Sequence, residues 1–212
     1  MRRLREQAGR LLSSHDELQL QTQNESSKYG WYDRGYIPHF DGGETSQVIT
    51  FRLCDSMPRE ILEKWRDEVS SDVEFRKNVE RYLDSGYGEC WLKIKGVAQL
   101  VQDSLLFHNN KSYTLTAWVV MPNHVHILLT PLKDQELSDI LHDVKSYTAH
   151  QANNILKRNG QFWQHESFDR YIRNREHFAN VINYIEENPV KAGLCRKKSD
   201  WKFSSAYKMT GA

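Results

Sequence analysis

Residues 113–130 read YTLTAWVVMPNHVHILLT, and the fold turns on them. Tyr113–Met121 and His124–Thr130 are rich in β-branched, aromatic and branched apolar residues, the composition of pleated strands. Pro122 and Asn123 suit a tight turn, so the stretch predicts a β-hairpin. His124 and His126 are two residues apart on the second strand, and residues i and i+2 share a face. Their backbones therefore lie about 7 Å apart, and the two imidazoles can converge on one ion. Val125 points the other way, into a core that continues through Ile127, Leu128 and Leu129. The bare pair reads equally well as two histidines on the exposed face of a strand.

Upstream, Gln47–Leu53 (QVITFRL) alternates apolar and polar residues and predicts a strand. Pro58 opens an acidic helical region. Ile61, Leu62, Trp65 and Val69 keep helical spacing, and Val73, Phe75, Val79, Tyr82 and Leu83 predict a second helix before Gly86 and Gly88 break the pattern. Val97, Leu100, Val101, Leu105 and Leu106 give a third. Downstream, Leu137, Ile140, Leu141 and Val144 begin a helix expected to reach Leu156 and to end at Gly160. Phe162–Ile172 (FWQHESFDRYI) is β-prone. Phe178, Val181, Ile182 and Ile185 predict a last amphipathic helix, stopped by Asn188-Pro189. This order suggests an α+β fold, close to a ferredoxin-like arrangement, with helices packed on an antiparallel sheet. The expected organisation is a flexible N-terminal arm over 1–28, one domain over 29–207 with a helical insertion at about 58–90, and a tail over 208–212.

Lys and Arg total 29 and Asp and Glu 28 in the 212-residue chain, a net charge of +1 that excludes a wholesale polycation. The charge is unevenly placed. Asp55–Glu89 holds 10 acidic and 6 basic residues, a net of −4, while Lys145–Lys202 holds 11 basic and 6 acidic, a net of +5. The acidic segment is expected to face away from a polyanion and the basic one towards it. No apolar run approaches the roughly 20 residues of a membrane helix, and no apolar segment follows the basic start, which predicts no secretory signal. Cys54, Cys90 and Cys195 form no CxxC pair and suggest reduced thiols and a cytoplasmic location. They are too scattered for a structural zinc site. Two histidines with an oxygen donor and open positions suit Mg²⁺ or Mn²⁺, a metal that polarises a phosphate rather than one that staples a fold. Both imidazoles must be neutral to bind it, so activity is expected to fall below about pH 6.

Met121–Leu129 (MPNHVHILL) resembles the HUH motif of single-tyrosine, single-strand DNA transposases, with Val125 as the apolar U. Further blocks resemble one branch, the REP-associated tyrosine transposases, which are relatives of bacterial insertion-sequence transposases. These blocks are Trp31–Phe40, Gln47–Ser56, Phe162–Asp169, Tyr184–Leu194 and Trp201–Ala206. The resemblance spans roughly residues 28–207. It implies an HUH nuclease fold and a 5′-phosphotyrosine intermediate. It also implies a substrate of single-stranded REP-type hairpins with a 5′ flanking tetranucleotide, in a bacterial, nucleoid-associated protein acting as monomer or homodimer. A catalytically idle hairpin-binding regulator and a metal-dependent RNA-binding nuclease are the rival readings.

Three tyrosines follow the histidines. Tyr147 extends the stripe of Ile140 and Val144 and is expected in the core; the side of Tyr171 is open. At about 100° per residue, Tyr184 falls beside the stripe of Val181 and Ile185, and Asn188 falls on the same side. From the residues alone a half-buried tyrosine and a capping amide before Pro189 are the favoured reading. The resemblance makes Tyr184 the nucleophile and has Asn188 complete the metal site with His124 and His126. Candidate DNA contacts are Lys145, Arg170, Arg173, Lys191 and Lys197 for phosphates, Trp163 and His165 for bases, although Trp163 taken singly reads more readily as core, and the segment bearing Trp31, Arg34, Tyr36 and His39.

Overall fold

The computed structural model describes residues 30–33, 38–41 and 43–207. The predicted arm over 1–28 and the tail over 208–212 lie outside the described residues. In chain order the elements are β1 (Gly30–Asp33), β2 (Pro38–Asp41), β3 (Gln47–Arg52), α1 (Arg59–Glu68), α2 (Asp72–Asp84), α3 (Lys95–His108), β4 (Tyr113–Val120), β5 (His124–Pro131), α4 (Leu137–Leu156), β6 (Phe168–Tyr171) and α5 (Arg175–Lys191).

The hairpin forms as its sequence predicts: β4 pairs with β5, and Met121 N–H donates to the His124 carbonyl at 2.8 Å to close the turn. β5 also pairs with β3, and β3 with β6, giving an antiparallel sheet in the order β4-β5-β3-β6. The chain crosses from β3 to β4 through α3 and from β5 to β6 through α4, and both helices pack on the same face. That is the ferredoxin-like arrangement the element order suggests. β1 and β2 form a separate antiparallel pair.

Helices cover both faces of the sheet, which is why β5 is buried along nearly all its length. Towards α3 and α4 it presents Val125, Ile127 and Leu129, packed with Phe51, Val101, Leu105, Ile140 and Val144. Towards α5 it presents His124, His126 and Leu128, the last packed with Ala117, Val119, Val181 and Ile185. Strict alternation fails along β4 because its register with β5 shifts between Leu115 and Ala117. The irregularity puts Leu115 on one face and Ala117 and Val119 on the other, as an extra residue in a ladder does.

The α1–α2 hairpin has an apolar cluster of its own, made of Met57, Leu62, Phe75, Val79 and Leu83, with Phe168 of β6 packed against it. This contact seats α2 beside α5, on the histidine face of the sheet. The acidic α2 thus shares a face of the sheet with α5 of the basic half, because burial of its apolar side decides its placement over charge.

Three smaller expectations also shift. α5 does not stop at Asn188-Pro189 but runs to Lys191. Pro189 gives up one N–H donor in the last turn, and the reversal comes at Gly193, whose φ of 70° suits glycine. α4 ends at Leu156 as read, but the left-handed residue that ends it is Lys157 rather than Gly160. Tyr147 is 53% exposed and not core, because the buried stripe of α4 advances in steps of four through Ile140, Val144, Thr148 and Ala152. Among the described residues no helix is long and apolar enough to cross a membrane.

Candidate active site

His124 and His126 are buried, at 1% and 2% exposure, beneath α2 and α5. Their Nε2 atoms lie 3.1 Å apart, so side chains that leave one strand two residues apart do converge. The opposite nitrogen of each ring is held. His126 Nδ1 meets the Thr50 hydroxyl at 2.7 Å, across the β3–β5 register. His124 Nδ1 meets Asn123 Oδ1 at 2.7 Å. The Asn123 amide is itself oriented, because its Nδ2 donates to the Tyr87 carbonyl at 3.0 Å. An amide oxygen only accepts, so His124 Nδ1 carries the proton and Nε2 keeps its lone pair for a ligand.

Burial lowers both imidazole pKa values, that of His126 to about 3, and for His124 the neighbouring ring adds to the effect. The imidazoles are therefore neutral throughout the physiological range. Burial thus moves their protonation below the value of about 6.5 that belongs to a solvated histidine.

Tyr184 stands over the pair, its ring 5.5 Å from that of His126 and edge-on to it. Its hydroxyl is buried without a hydrogen-bond partner. The Glu80 carboxylate and the Asn188 amide lie beside it without reaching hydrogen-bonding geometry. Burial, then the charge of Glu80, pushes the phenol well above its usual range. Asn188 is 1% exposed, and its Oδ1 is likewise unpartnered. The residue that places both is Ile185, fully buried against the sheet, which turns positions 184 and 188 of α5 towards the histidines.

α2 supplies the other wall. Asp84 Oδ1 lies 3.9 Å from His124 Nε2, and burial, then Glu80, raises the Asp84 carboxyl to about 6. Beside Tyr184, a cavity of about 330 Å³ opens between α2, β3, β6 and α5; Arg76, Lys77, Glu80, Arg170 and His177 are among its lining residues. Sequence reasoning missed Thr50, Asn123, Glu80 and Asp84. Strand register signals Thr50 only once β3 and β5 are known to pair. The two carboxylates carry no local signal, since they read as the solvated face of an acidic helix.

Among the described residues no three His, Cys, Asp or Glu side chains close on one point. A metal would rest on the His124 and His126 Nε2 atoms, with Asn188 Oδ1 and the Asp84 carboxylate as neighbouring oxygens. Two nitrogens held by outer hydrogen bonds and an orphaned buried amide oxygen fit a divalent ion with mixed nitrogen and oxygen ligands.

Residues 100–188 match the family described as Transposase IS200 like. This IS200-like stretch includes His124, His126, Tyr184 and Asn188. A REP-associated tyrosine transposase of Escherichia coli (strain K12) is 32% identical over 100 residues, covering 47% of this chain. The chain spans 58% of the length of that relative. The solved structure of a REP-associated tyrosine transposase bound to a REP hairpin shares the fold, with a TM-score of 0.52 and 20% identity over 82% of this chain and 81% of that one. The resemblance to REP-associated tyrosine transposases is borne out.

The expected DNA contacts divide. Trp163 is 4% exposed, edge-on to Phe51 at 4.8 Å, with its indole N–H on Thr148, so it is a core residue and not a stacking platform. The Lys145 ammonium donates to the His165 carbonyl at 2.7 Å and reaches Ser167 Oγ at 3.4 Å; it ties α4 to the segment before β6 rather than standing free for a phosphate. His165, Arg173, Lys191 and Lys197 are exposed, and Arg170 lines the cavity beside Tyr184. Lys191 Nζ sits 4.9 Å from the Tyr184 ring centre. Trp31 and His39 lie on β1 and β2, but their side chains, and all of Arg34 and Tyr36, are outside the described residues.

Proposed function

We propose that the protein is a metal-dependent transposase that cleaves and rejoins single-stranded DNA at REP-type hairpins through a 5′-phosphotyrosine. The observation that carries this reading is a phenol, Tyr184, held over two neutral imidazoles whose Nε2 atoms lie 3.1 Å apart. A bound Mg²⁺ or Mn²⁺ would withdraw charge from the scissile phosphate. His124 and His126 would hold the ion, with Asn188 beside it. The rest of the reaction belongs to the chain. Arg76, Lys77 and Arg170 draw the backbone into the cavity beside Tyr184. The Tyr184 oxygen bonds to phosphorus, and the bond to the 3′ oxygen breaks, leaving a free 3′ end. The ester on Tyr184 keeps the energy of the broken bond, so a 3′-hydroxyl can reseal the strand without ATP. The flanking tetranucleotide, a choice between monomer and homodimer, and nucleoid association belong to the same proposal.

The test is incubation with a single-stranded REP hairpin carrying a four-nucleotide 5′ flank, in Mn²⁺. The expected product is a protein–DNA adduct on a denaturing gel, absent in EDTA and absent for Tyr184→Phe. Binding without an adduct would mark a regulator. Cleavage of RNA without an adduct would mark a nuclease that uses water.

A further inference from the structure

Glu80 of α2 has no part in the chemistry described so far. Glu80 and Asp84 are four residues apart, so they project from one side of the helix, the side that faces α5 and the histidines. Asp84 is turned towards His124. Glu80 and Tyr184 line the same cavity, and no partner meets the Tyr184 hydroxyl in hydrogen-bonding geometry. A buried hydroxyl without a partner is unfavourable by roughly 1–3 kcal/mol, so its placement calls for a functional reason. Both imidazoles are poor recipients for its proton, because their Nε2 atoms face each other and their Nδ1 atoms are engaged by Asn123 and Thr50. Glu80 is the carboxylate beside the phenol.

We infer that Glu80 is the general base that takes the proton of Tyr184 as its oxygen attacks phosphorus. This rests on the transposase reading above. The step balances. The Tyr184 O–H bond breaks and its proton passes to a Glu80 oxygen. The tyrosyl O–P bond forms, the P–O3′ bond breaks, and the departing 3′ oxygen takes a proton from water. In resealing, the 3′-hydroxyl attacks, and Glu80 returns its proton to the leaving tyrosyl oxygen. One group thus serves both directions, as microscopic reversibility requires.

The surroundings suit that exchange. Burial raises the pKa of Glu80, which makes the carboxylate a stronger base than a solvated one. The charged and titratable groups around it are Arg76 and Asp84 on α2, Arg170 on β6, and Tyr184 and Lys191 on α5. The three cations offset the repulsion between a carboxylate and an incoming phosphodiester. They also explain how an acidic helix can sit at a DNA-processing centre.

The experiment compares Glu80→Gln and Glu80→Asp with the unaltered protein in single-turnover adduct formation on the same flanked hairpin, in Mn²⁺, from about pH 6 to 9. Glu80→Gln is expected to slow the reaction by about 10²–10⁴-fold near neutral pH. Its deficit should shrink as rising pH ionises the phenol without help. Glu80→Asp should fall between. Mn²⁺ affinity by electron paramagnetic resonance and hairpin affinity should be unchanged in Glu80→Gln. A Glu80→Gln protein that reacts at the original rate overturns the inference, as does one slowed equally at every pH. Loss of Mn²⁺ binding in proportion to rate would also overturn it, by making Glu80 a support of the ion. If the unaltered protein forms no adduct, the transposase reading fails first, and that result is separate from any effect of residue 80.

Discussion

The two faces of β5 carry opposite chemistry from adjacent residues. On one, Val125, Ile127 and Leu129 meet α3 and α4 in a largely apolar layer. On the other, His124 and His126 meet α2 and α5 among orphaned polar atoms, a raised carboxyl and a phenol. Burial is equally deep on both, yet it does different work. The first face gains from excluding water. The second uses the same exclusion to hold two imidazoles neutral and to leave a hydroxyl and an amide oxygen without partners. The contrast assigns stability to one face and chemistry to the other, and substitutions can break it.

The largest expected effect is that of Tyr184→Phe. Adduct formation should vanish, a loss beyond about 10³-fold. The unfolding midpoint should hold or rise, because the substitution deletes a buried hydroxyl that bonds to nothing. Gel assay and thermal melt together check this, and a large loss of stability would contradict the geometry.

Acid comes next. The buried imidazoles bind protons more weakly in the folded chain than in the unfolded one, where the usual value is about 6.5. Their contribution is therefore complete above about 6.5 and is lost as pH falls towards the folded value, about 3 for His126. For that residue the full loss is on the order of 5 kcal/mol. Melts of the metal-free protein in EDTA should fall across this window, and the fall should weaken in His126→Gln.

Ile127→Ala tests the apolar face. Deleting a fully buried isoleucine should destabilise by roughly 2–5 kcal/mol in denaturant titration. Mn²⁺ affinity per folded molecule should stay the same. Asn123→Ala should do the reverse: Mn²⁺ affinity falls by about 10–100-fold once the His124 tautomer is no longer held, with a smaller effect on folding. If Asn123→Ala leaves Mn²⁺ binding intact, the hydrogen bond is not what prepares the ligand.

The sequence made some of this legible and hid the rest, for physical reasons. The hairpin, the shared face of His124 and His126, and the offset of Tyr184 and Asn188 from the α5 stripe all follow from periods of two and 3.6 residues, which are local. The role of Tyr184 came from the resemblance and not from the period. What stayed hidden was set by distant parts of the chain. α2 is placed by Phe75, Val79 and Leu83 meeting Phe168, so its carboxylates reach a site that charge patterning alone assigned away from them. Trp163 sits in a segment whose composition suits either stacking or packing, and only the neighbourhood of Phe51 and Thr148 decides. Tyr147 misled because steps of four, not alternating threes and fours, carry the buried stripe of α4.

The unpartnered hydroxyl of Tyr184 also bears on how such a chain ages. A change of tyrosine to phenylalanine at this position is expected to leave the fold at least as stable, so no loss of stability would remove the variant from a population. Folding alone would let the hydroxyl disappear unnoticed, and the altered protein would go on being made. A chain that still carries the hydroxyl, with Asn188 equally unsatisfied beside it, keeps both groups against the direction in which stability alone would let them drift.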